Sequence, residues 1–341
     1  MEMTRCRGAL IPREEADYHI RRLLNLNAVR KDLRIEKSGN YVIVPLREGS
    51  HAGDYDTVEL EFSPRAALRS PSSDVNRELL ASGLPADFPS AFVRYGQSLM
   101  LKPFAGCEDK RVLKNIATVM GIDRIYLLTG RISGEMRQPA VRLAYGEPGI
   151  TIHKENGIYY CFDPERVMFS PGNVNERIAA AGLASPGSTI FDMFSGIGYF
   201  SLPIAKYSGV AKIYCTHINL DSIKFLEQSA RMNGVSHLIH GINADCRDFE
   251  PDEKIDLALM GNFRSLEYVE HAFHSLKDGG RIVLHFLLDT SRLRSIDQFL
   301  LDNLSFIPAS ITVDEKRIVK SYAPNQWHVS ASIVVKKHVH T

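Results

Sequence analysis

The chain has 341 residues, 44% of them apolar and 24% charged, and a net charge of +1. This is the composition of an ordinary globular protein, long enough for two or three domains. No apolar run approaches the roughly 20 residues of a membrane helix. The start lacks the uninterrupted apolar core of a secretory signal. The near-neutral charge leaves any polyanion partner to a local basic face.

Five cysteines (Cys6, Cys107, Cys161, Cys215, Cys246) are odd in number and contain no Cys-x-x-Cys pair. That argues against a disulfide scaffold or zinc ribbon and for a reducing, cytoplasmic setting. With no His-Glu-x-x-His or Cys/His cluster, no metal is expected.

In chain order, "PREEADYHIRRLLNLNAV" carries helical spacing and "NYVIVPL" reads as a strand, followed by the small, polar loop "REGSHAGDYD". "LRSPSSDVNRELLASGLPADFPS" has two Pro/Ser-rich breaks and reads as a linker. "SLMLKPF" predicts a strand, "DKRVLKNIATVMGI" an amphipathic helix and "DRIYLLTG" another strand. "PAVRLAYGEPGITIHKENGIYYCFD" predicts paired strands around Gly146–Gly149 and around Asn156-Gly157, a tight-turn signal.

From about Pro164 strands and helices alternate. Strands are expected at 189–194, 211–217, 238–243, 256–260 and 281–286, and helices near 175–183, 198–207, 221–233 and 265–277. Such alternation predicts a doubly wound, mostly parallel sheet. The tail "RIVKSYAPNQWHVSASIVVKK" adds two strands, most simply an antiparallel edge hairpin. Five parallel strands closed by a hairpin give, by fold analogy, the Rossmann-like class I fold of S-adenosylmethionine (SAM)-dependent methyltransferases, with a seven-stranded sheet preceded by smaller α+β domains. The boundaries read as 1–85, an N-terminal α+β domain, 86–164, a middle α+β domain, and 165–341.

The first βα turn is "DMFSGIG", Asp192 to Gly198. Its glycines let backbone approach a ligand. Ser201 stands where a dinucleotide fold needs a third glycine, and no Gly-Lys-Ser/Thr is present. Asp192 before a two-glycine turn suits a cationic sulfonium nucleoside better than a pyrophosphate; the plainer reading is a packed βα turn. The end of the second strand, where an acidic residue ordinarily takes the ribose hydroxyls, carries His217. Asp245, in "NADCRDF", ends the third strand, where a carboxylate can bond the adenine amino group. Alternatively, Asp245 and Asp248 only cap the next turn.

"ITIHKENGIYYCFDPERVMFSPGNVNER" followed by "DMFSGIGYFSLPIAK", with "YGQSLMLKPF" and "KSYAPNQWHVSASIVV", closely resembles archaeal enzymes that modify guanosine 37 of tRNA. The likeness covers about residues 85–341 well and the first 80 loosely. Two sister families share it: the guanosine-37 N1-methyltransferases, and the wybutosine-pathway aminocarboxypropyltransferases, which move the 3-amino-3-carboxypropyl group of SAM onto C7 of 4-demethylwyosine. After the fourth strand the methyltransferases read Met-Asn-Leu-Pro. This chain reads Met260-Gly261-Asn262-Phe263-Arg264, without proline, and so resembles the aminocarboxypropyltransferases. Matching Asn262 to the methyltransferase Asn needs a one-residue insertion.

The resemblance implies SAM as cofactor, contacted by Ser170, Arg177, Asp192, Phe194, Gly196, Gly198, His217, Asp245, Cys246 and Gly261. Arg177 would bond the amino-acid carboxylate, the alternative being an exposed helix-surface charge. Glu176 matches the glutamate that handles the N1 proton in the methyltransferases, and is structural if no early base is needed. Arg177, Glu176 and Asn262 are thus the catalytic candidates. Arg131, Arg137 and Arg142 would form a phosphate-binding edge for the anticodon loop of tRNA, extended by Lys316, Arg317 and Lys320, unless they form a solvated charged face. Trp327 either stacks on a base or is core. The resemblance alone implies an RNA-binding accessory role for 1–85 and catalysis by 165–341. A monomer is expected. A SAM-dependent small-molecule methyltransferase and a non-catalytic RNA-binding relative that lost its cofactor, which His217 keeps open, remain as alternatives.

Overall fold

The computed structural model describes residues 3–13, 16–50, 55–65, 70–130, 134 and 137–338. The chain divides into two compact units, Met1–Asp74 and Val75–Thr341.

The first unit is built from β1 (Thr4–Pro12), α1 (Ala16–Asn25), β2 (Glu36–Ser38), β3 (Tyr41–Pro45) and β4 (Thr57–Phe62). Its strands form an antiparallel sheet in the order β2-β3-β1-β4. Leu23 of α1 packs with Ala9, Ile11 and Val44 on one face of that sheet.

The second unit opens within α2 (Pro71–Ala81) and continues with β5 (Phe92–Tyr95), β6 (Ser98–Leu101), α3 (Lys110–Met120), β7 (Arg124–Leu128) and β8 (Val141–Tyr145). α3 lies within the stretch expected to be an amphipathic helix, and it is capped at both ends. The Asp109 side chain accepts from the Arg111 amide at one end, and Gly121 adopts φ +58° at the other. β5-β6-β7-β8 form a four-stranded sheet. β9 (Thr151–Glu155) and β10 (Ile158–Phe162) form a separate ribbon closed by Asn156-Gly157, both with positive φ. Pairing across Gly146–Gly149 was expected, but β8 pairs with β7 instead, and β9 pairs only with β10.

Then follow α4 (Val174–Ala180), β11 (Thr189–Asp192), α5 (Ser201–Tyr207), β12 (Lys212–Thr216), α6 (Leu220–Met232), β13 (Ile239–Ile242), β14 (Ile255–Met260), α7 (Val269–Ser275), β15 (Leu276–Asp289), α8 (Ile296–Asn303), β16 (Ala309–Ala323) and β17 (Gln326–Lys337). Their sheet runs β13-β12-β11-β14-β15-β17-β16, with β17 antiparallel to both neighbours. This is the Rossmann-like class I arrangement, with the tail hairpin at the edge. Successive residues feed opposite faces, as a sheet covered on both sides requires. Ile190, Ile213, Leu257 and Leu259 pack in one core, and Phe191, Tyr214, Ala258 and Met260 in the other. The ribbon is fastened to α6, where Ser229 Oγ receives the Cys161 amide and Asn233 bonds both the amide and the carbonyl of Tyr159.

Candidate active site

The turn after β11 folds around Asp192, which is 1% exposed. Its carboxylate accepts from Ser201 Oγ and from the Phe194 amide. Burial raises its pKa to about 6. Asp192 therefore faces the start of α5 rather than a ligand, contrary to the expected sulfonium contact, because the turn wraps its carboxylate inside. Gly198 also lies off the ligand side. It has φ +90°, and a Cβ there would sit 2.6 Å from Leu226 and 2.7 Å from Leu202, so its role is close packing. Gly196, with φ +54°, is the glycine that reaches the ligand side.

Over the carboxyl ends of these strands lies a cavity of about 620 Å³, within the range of small-molecule sites. One wall is formed by Phe194, Gly196, His217, Ala244, Asp245 and Cys246. A second carries Met168, Ser170, Asn173, Arg177 and Lys320, and the loop Gly261–Arg264 borders it with Tyr322 and Arg137. The glycine turn, the strand ends and the Gly261 loop, far apart in sequence, thus share one cavity.

His217 lines the cavity, and its Nδ1 accepts the Asn219 amide at 3.0 Å. Burial lowers its pKa to about 4, so the ring is neutral and Nε2 carries the proton. It can donate to a ribose oxygen but offers no free acceptor. Neither downstream substitute is available: Asn219 caps α6 and Asp221 pairs with Arg166 at 2.9 Å. The capping read for Asp245 is present, and the residue also borders the cavity. Bonds from Arg247 hold its pKa down to about 2. Gly261 opens its loop against Phe200, whose ring a Cβ would approach to 2.9 Å. Asn262 Oδ1 accepts the Arg264 amide and so shapes the same loop.

Arg177 is 2% exposed, so the surface-charge reading is set aside. Its Nε and Nη2 bond Glu155 at 2.6 and 2.8 Å, Nη1 bonds the Ser170 carbonyl at 3.0 Å, and its plane lies over Phe169. Glu176, also buried, points away from the cavity, toward Arg317 at 3.3 Å, and burial raises its pKa. It does not line the cavity, because neighbouring residues of a helix face different sides.

Of the expected RNA-binding edge, Arg131 lies outside the described residues. Arg142 pairs with Glu108 at 2.5 Å, away from the cavity. Arg137 borders the cavity, with its guanidinium over Phe263. Trp327 is partly buried and donates to Thr290 Oγ1, outside the cavity.

Sequence reasoning passed over a buried histidine pair. His285 Nδ1 and His328 Nε2 are 2.9 Å apart; His285 stacks on Phe200, and His328 meets the edge of Phe263. Both line the cavity. The available signal was a lone polar ring in each of two apolar strands, "VLHFLL" and "WHVSAS".

Residues 151–297 match the TRM5/TYW2 methyltransferase domain, and residues 9–53 match the tRNA methyltransferase 5 N-terminal domain. A Pyrococcus horikoshii tRNA(Phe) (4-demethylwyosine(37)-C(7)) aminocarboxypropyltransferase is 35% identical over 272 residues, spanning 76% of this chain and 96% of its own length. The chain belongs to this aminocarboxypropyltransferase family. The crystal structure of P. horikoshii TYW2 in complex with MeSAdo is similar over 77% of the chain and 98% of its own, at 32% identity and TM-score 0.67. The crystal structure of wild-type Trm5b from Pyrococcus abyssi is similar over 97% of the chain and 99% of its own, at 26% identity and TM-score 0.63. As a member of the aminocarboxypropyltransferase family, the chain thus combines a catalytic part of that kind with an N-terminal segment matching the methyltransferase one.

Proposed function

We infer that the chain is a SAM-dependent tRNA aminocarboxypropyltransferase, transferring the 3-amino-3-carboxypropyl group to C7 of 4-demethylwyosine in wybutosine-derivative biosynthesis. The observation that carries this reading is one cavity bordered by both the glycine turn and the proline-free Gly261 loop, in a chain 35% identical to an enzyme of that activity. The bound cofactor supplies an electrophilic γ-carbon: transfer forms the C7–Cγ bond, returns the S–Cγ electron pair to sulfur as 5′-methylthioadenosine, and releases the C7 proton.

The residues present fit such a cofactor. Gly196 gives backbone access, His217 and Asp245 face the nucleoside end, and Ser170, Arg177 and Gly261 border the tail. Which carbon reacts is decided by orientation, and about 1 Å of misplacement is enough to abolish a transfer. The Gly261 loop, held against Phe200 and by the Asn262 bond, sets that orientation. Buried Arg177 holds Ser170 and the start of α4 in place.

The substrate is a tRNA. We place its position-37 base at the mouth, between Arg137 and the edge-to-face pair Phe263 and Tyr322, whose centroids are 5.1 Å apart. Base stacking on aromatics contributes about 1–3 kcal/mol per base. Segments 1–85 and 86–164 serve as accessory RNA-binding modules to the catalytic 165–341, in a cytoplasmic monomer. No helix among the described residues is long and apolar enough to cross a membrane.

Incubation with SAM and tRNA carrying 4-demethylwyosine, followed by nucleoside mass spectrometry, tests the reading. Aminocarboxypropylated base and 5′-methylthioadenosine are expected. N1-methylguanosine with S-adenosylhomocysteine would favour the sister methyltransferases instead.

A further inference from the structure

Lys316, Arg317 and Lys320 lie close together on β16, but the structure gives them different surroundings. Lys316 bonds Asp297 at 2.6 Å, and Arg317 lies 3.3 Å from Glu176 and 3.5 Å from Glu315. Lys320 alone of the three lines the cavity. Its ammonium bonds Asn173 Oδ1 at 2.7 Å, and a Cβ on Gly172 would come within 3.0 Å of it. Among the described residues, no carboxylate lies within ion-pair distance of it.

An ammonium has three N–H donors and a full charge. One neutral amide oxygen satisfies one donor and none of the charge. Arg177, on the same wall, is different, because Glu155 already balances it. The wall from Ser170 to Asn173 therefore carries an unbalanced positive charge, facing a cavity whose other wall is shaped for a nucleoside. Burial, together with Arg137 and Arg177, lowers the Lys320 pKa, a cost that a bound anion would offset.

We propose that Lys320 is the seat of the α-carboxylate of the aminocarboxypropyl group, and so orients the group that is transferred. This rests on the function inferred above. A tRNA phosphate has the same anionic chemistry. The half-buried position inside the cavity, beside Ser170 and Asn173, favours the compact carboxylate of a small ligand over a polymer backbone. Because the carboxylate leaves with the modified base, Lys320 would contact substrate and product alike.

The test compares ligands that share a nucleoside. Calorimetry with Lys320→Gln should show SAM and S-adenosylhomocysteine binding weakened roughly tenfold to a hundredfold, the scale of a lost charged hydrogen bond. 5′-Methylthioadenosine has no amino-acid portion, and its affinity should change by less than about twofold. The salt slope of tRNA binding should stay as in the wild type. Equal losses for all three ligands, in Lys320→Gln and Lys320→Arg alike, would overturn the proposal in favour of a purely architectural role. Unchanged SAM affinity would overturn it too, and a change confined to the tRNA salt slope would assign the site to a phosphate. The wild-type product is read separately by nucleoside mass spectrometry, so failure of the functional reading and failure of the Lys320 assignment give different results.

Discussion

Glu155, at the end of the β9 strand, receives both Nε and Nη2 of Arg177 from α4, with the whole guanidinium out of solvent. Burial pushes the Glu155 carboxyl up, but bonds and charge from Arg177 and His153 outweigh it and hold the pKa at about 2. The pair fastens the ribbon to the helix that leads out of the Ser170–Asn173 wall. The charge of Arg177 is therefore already met inside the protein.

Breaking one side of such a pair leaves a buried charge without a partner, at about 3–5 kcal/mol. Arg177→Ala and Glu155→Gln are each expected to lower unfolding stability on that scale, as read from urea midpoints. The double variant Glu155→Gln/Arg177→Met should recover a large part of the loss. If Arg177→Ala kept wild-type stability while losing SAM affinity, the direct ligand role read from its sequence position would be restored.

His217 carries a second expectation. A solvated histidine at this position would weaken SAM binding as pH falls through the ordinary histidine range, about 6.5. In the structure its pKa is lowered to about 4, so the ring stays neutral through that range. SAM affinity measured by calorimetry should be flat between about pH 7 and 5.5 and fall only near 4. A midpoint near 6.5 would mean that the Asn219 bond and the burial do not persist in solution.

The glycines allow a cleaner comparison. Gly198 and Gly279 both have positive φ, but a Cβ on Gly198 would strike Leu226 and Leu202, whereas nothing lies within 4 Å of one on Gly279. Gly279→Ala should cost about 1–2 kcal/mol of backbone strain alone. Gly198→Ala adds overpacking of about 1–3 kcal/mol to the same strain. Equal Tm losses in the two variants would show that the core around α5 and α6 yields freely.

Much of this was legible in the sequence because it is local. Alternating strands and helices from residue 189 onward, the Asn156-Gly157 turn, the amphipathic run that forms α3 and the glycine turn are all short-range patterns. The stretch read as a linker in fact contains helix α2, and α8 and the strands β1 and β4 were not drawn from the sequence, the two strands pairing across tens of residues. The site was less legible for the same reason. Asp192 looked like a ligand because of its neighbours, yet what decides its role is Ser201 folding back on it. The charge of Arg177 is settled by Glu155, 22 positions earlier, and Lys320 meets Asn173 across 147 positions. Partnerships of that kind leave no spacing to read.

The buried histidines make a final prediction about acid stability. Burial lowers His217 to about 4, His285 to about 3 and His328 to about 4, with His328 adding to the shift at His285 and Lys320 to that at His328. All three are neutral in the folded protein at pH 6, whereas the unfolded chain takes up protons there. Stability attributable to them is thus complete above about pH 6.5 and is lost as pH falls toward 4. Asp192 and Glu176 act in the opposite sense, since their raised pKa values let the folded state take up protons in that direction, but they are two groups against three. The net loss between pH 6.5 and 4.5 should be on the order of a few kcal/mol. Replacing the His285–His328 pair by Phe and Leu should remove most of the slope in that window, as read from unfolding free energy against pH. A slope unchanged by the double substitution would place the titrating groups elsewhere.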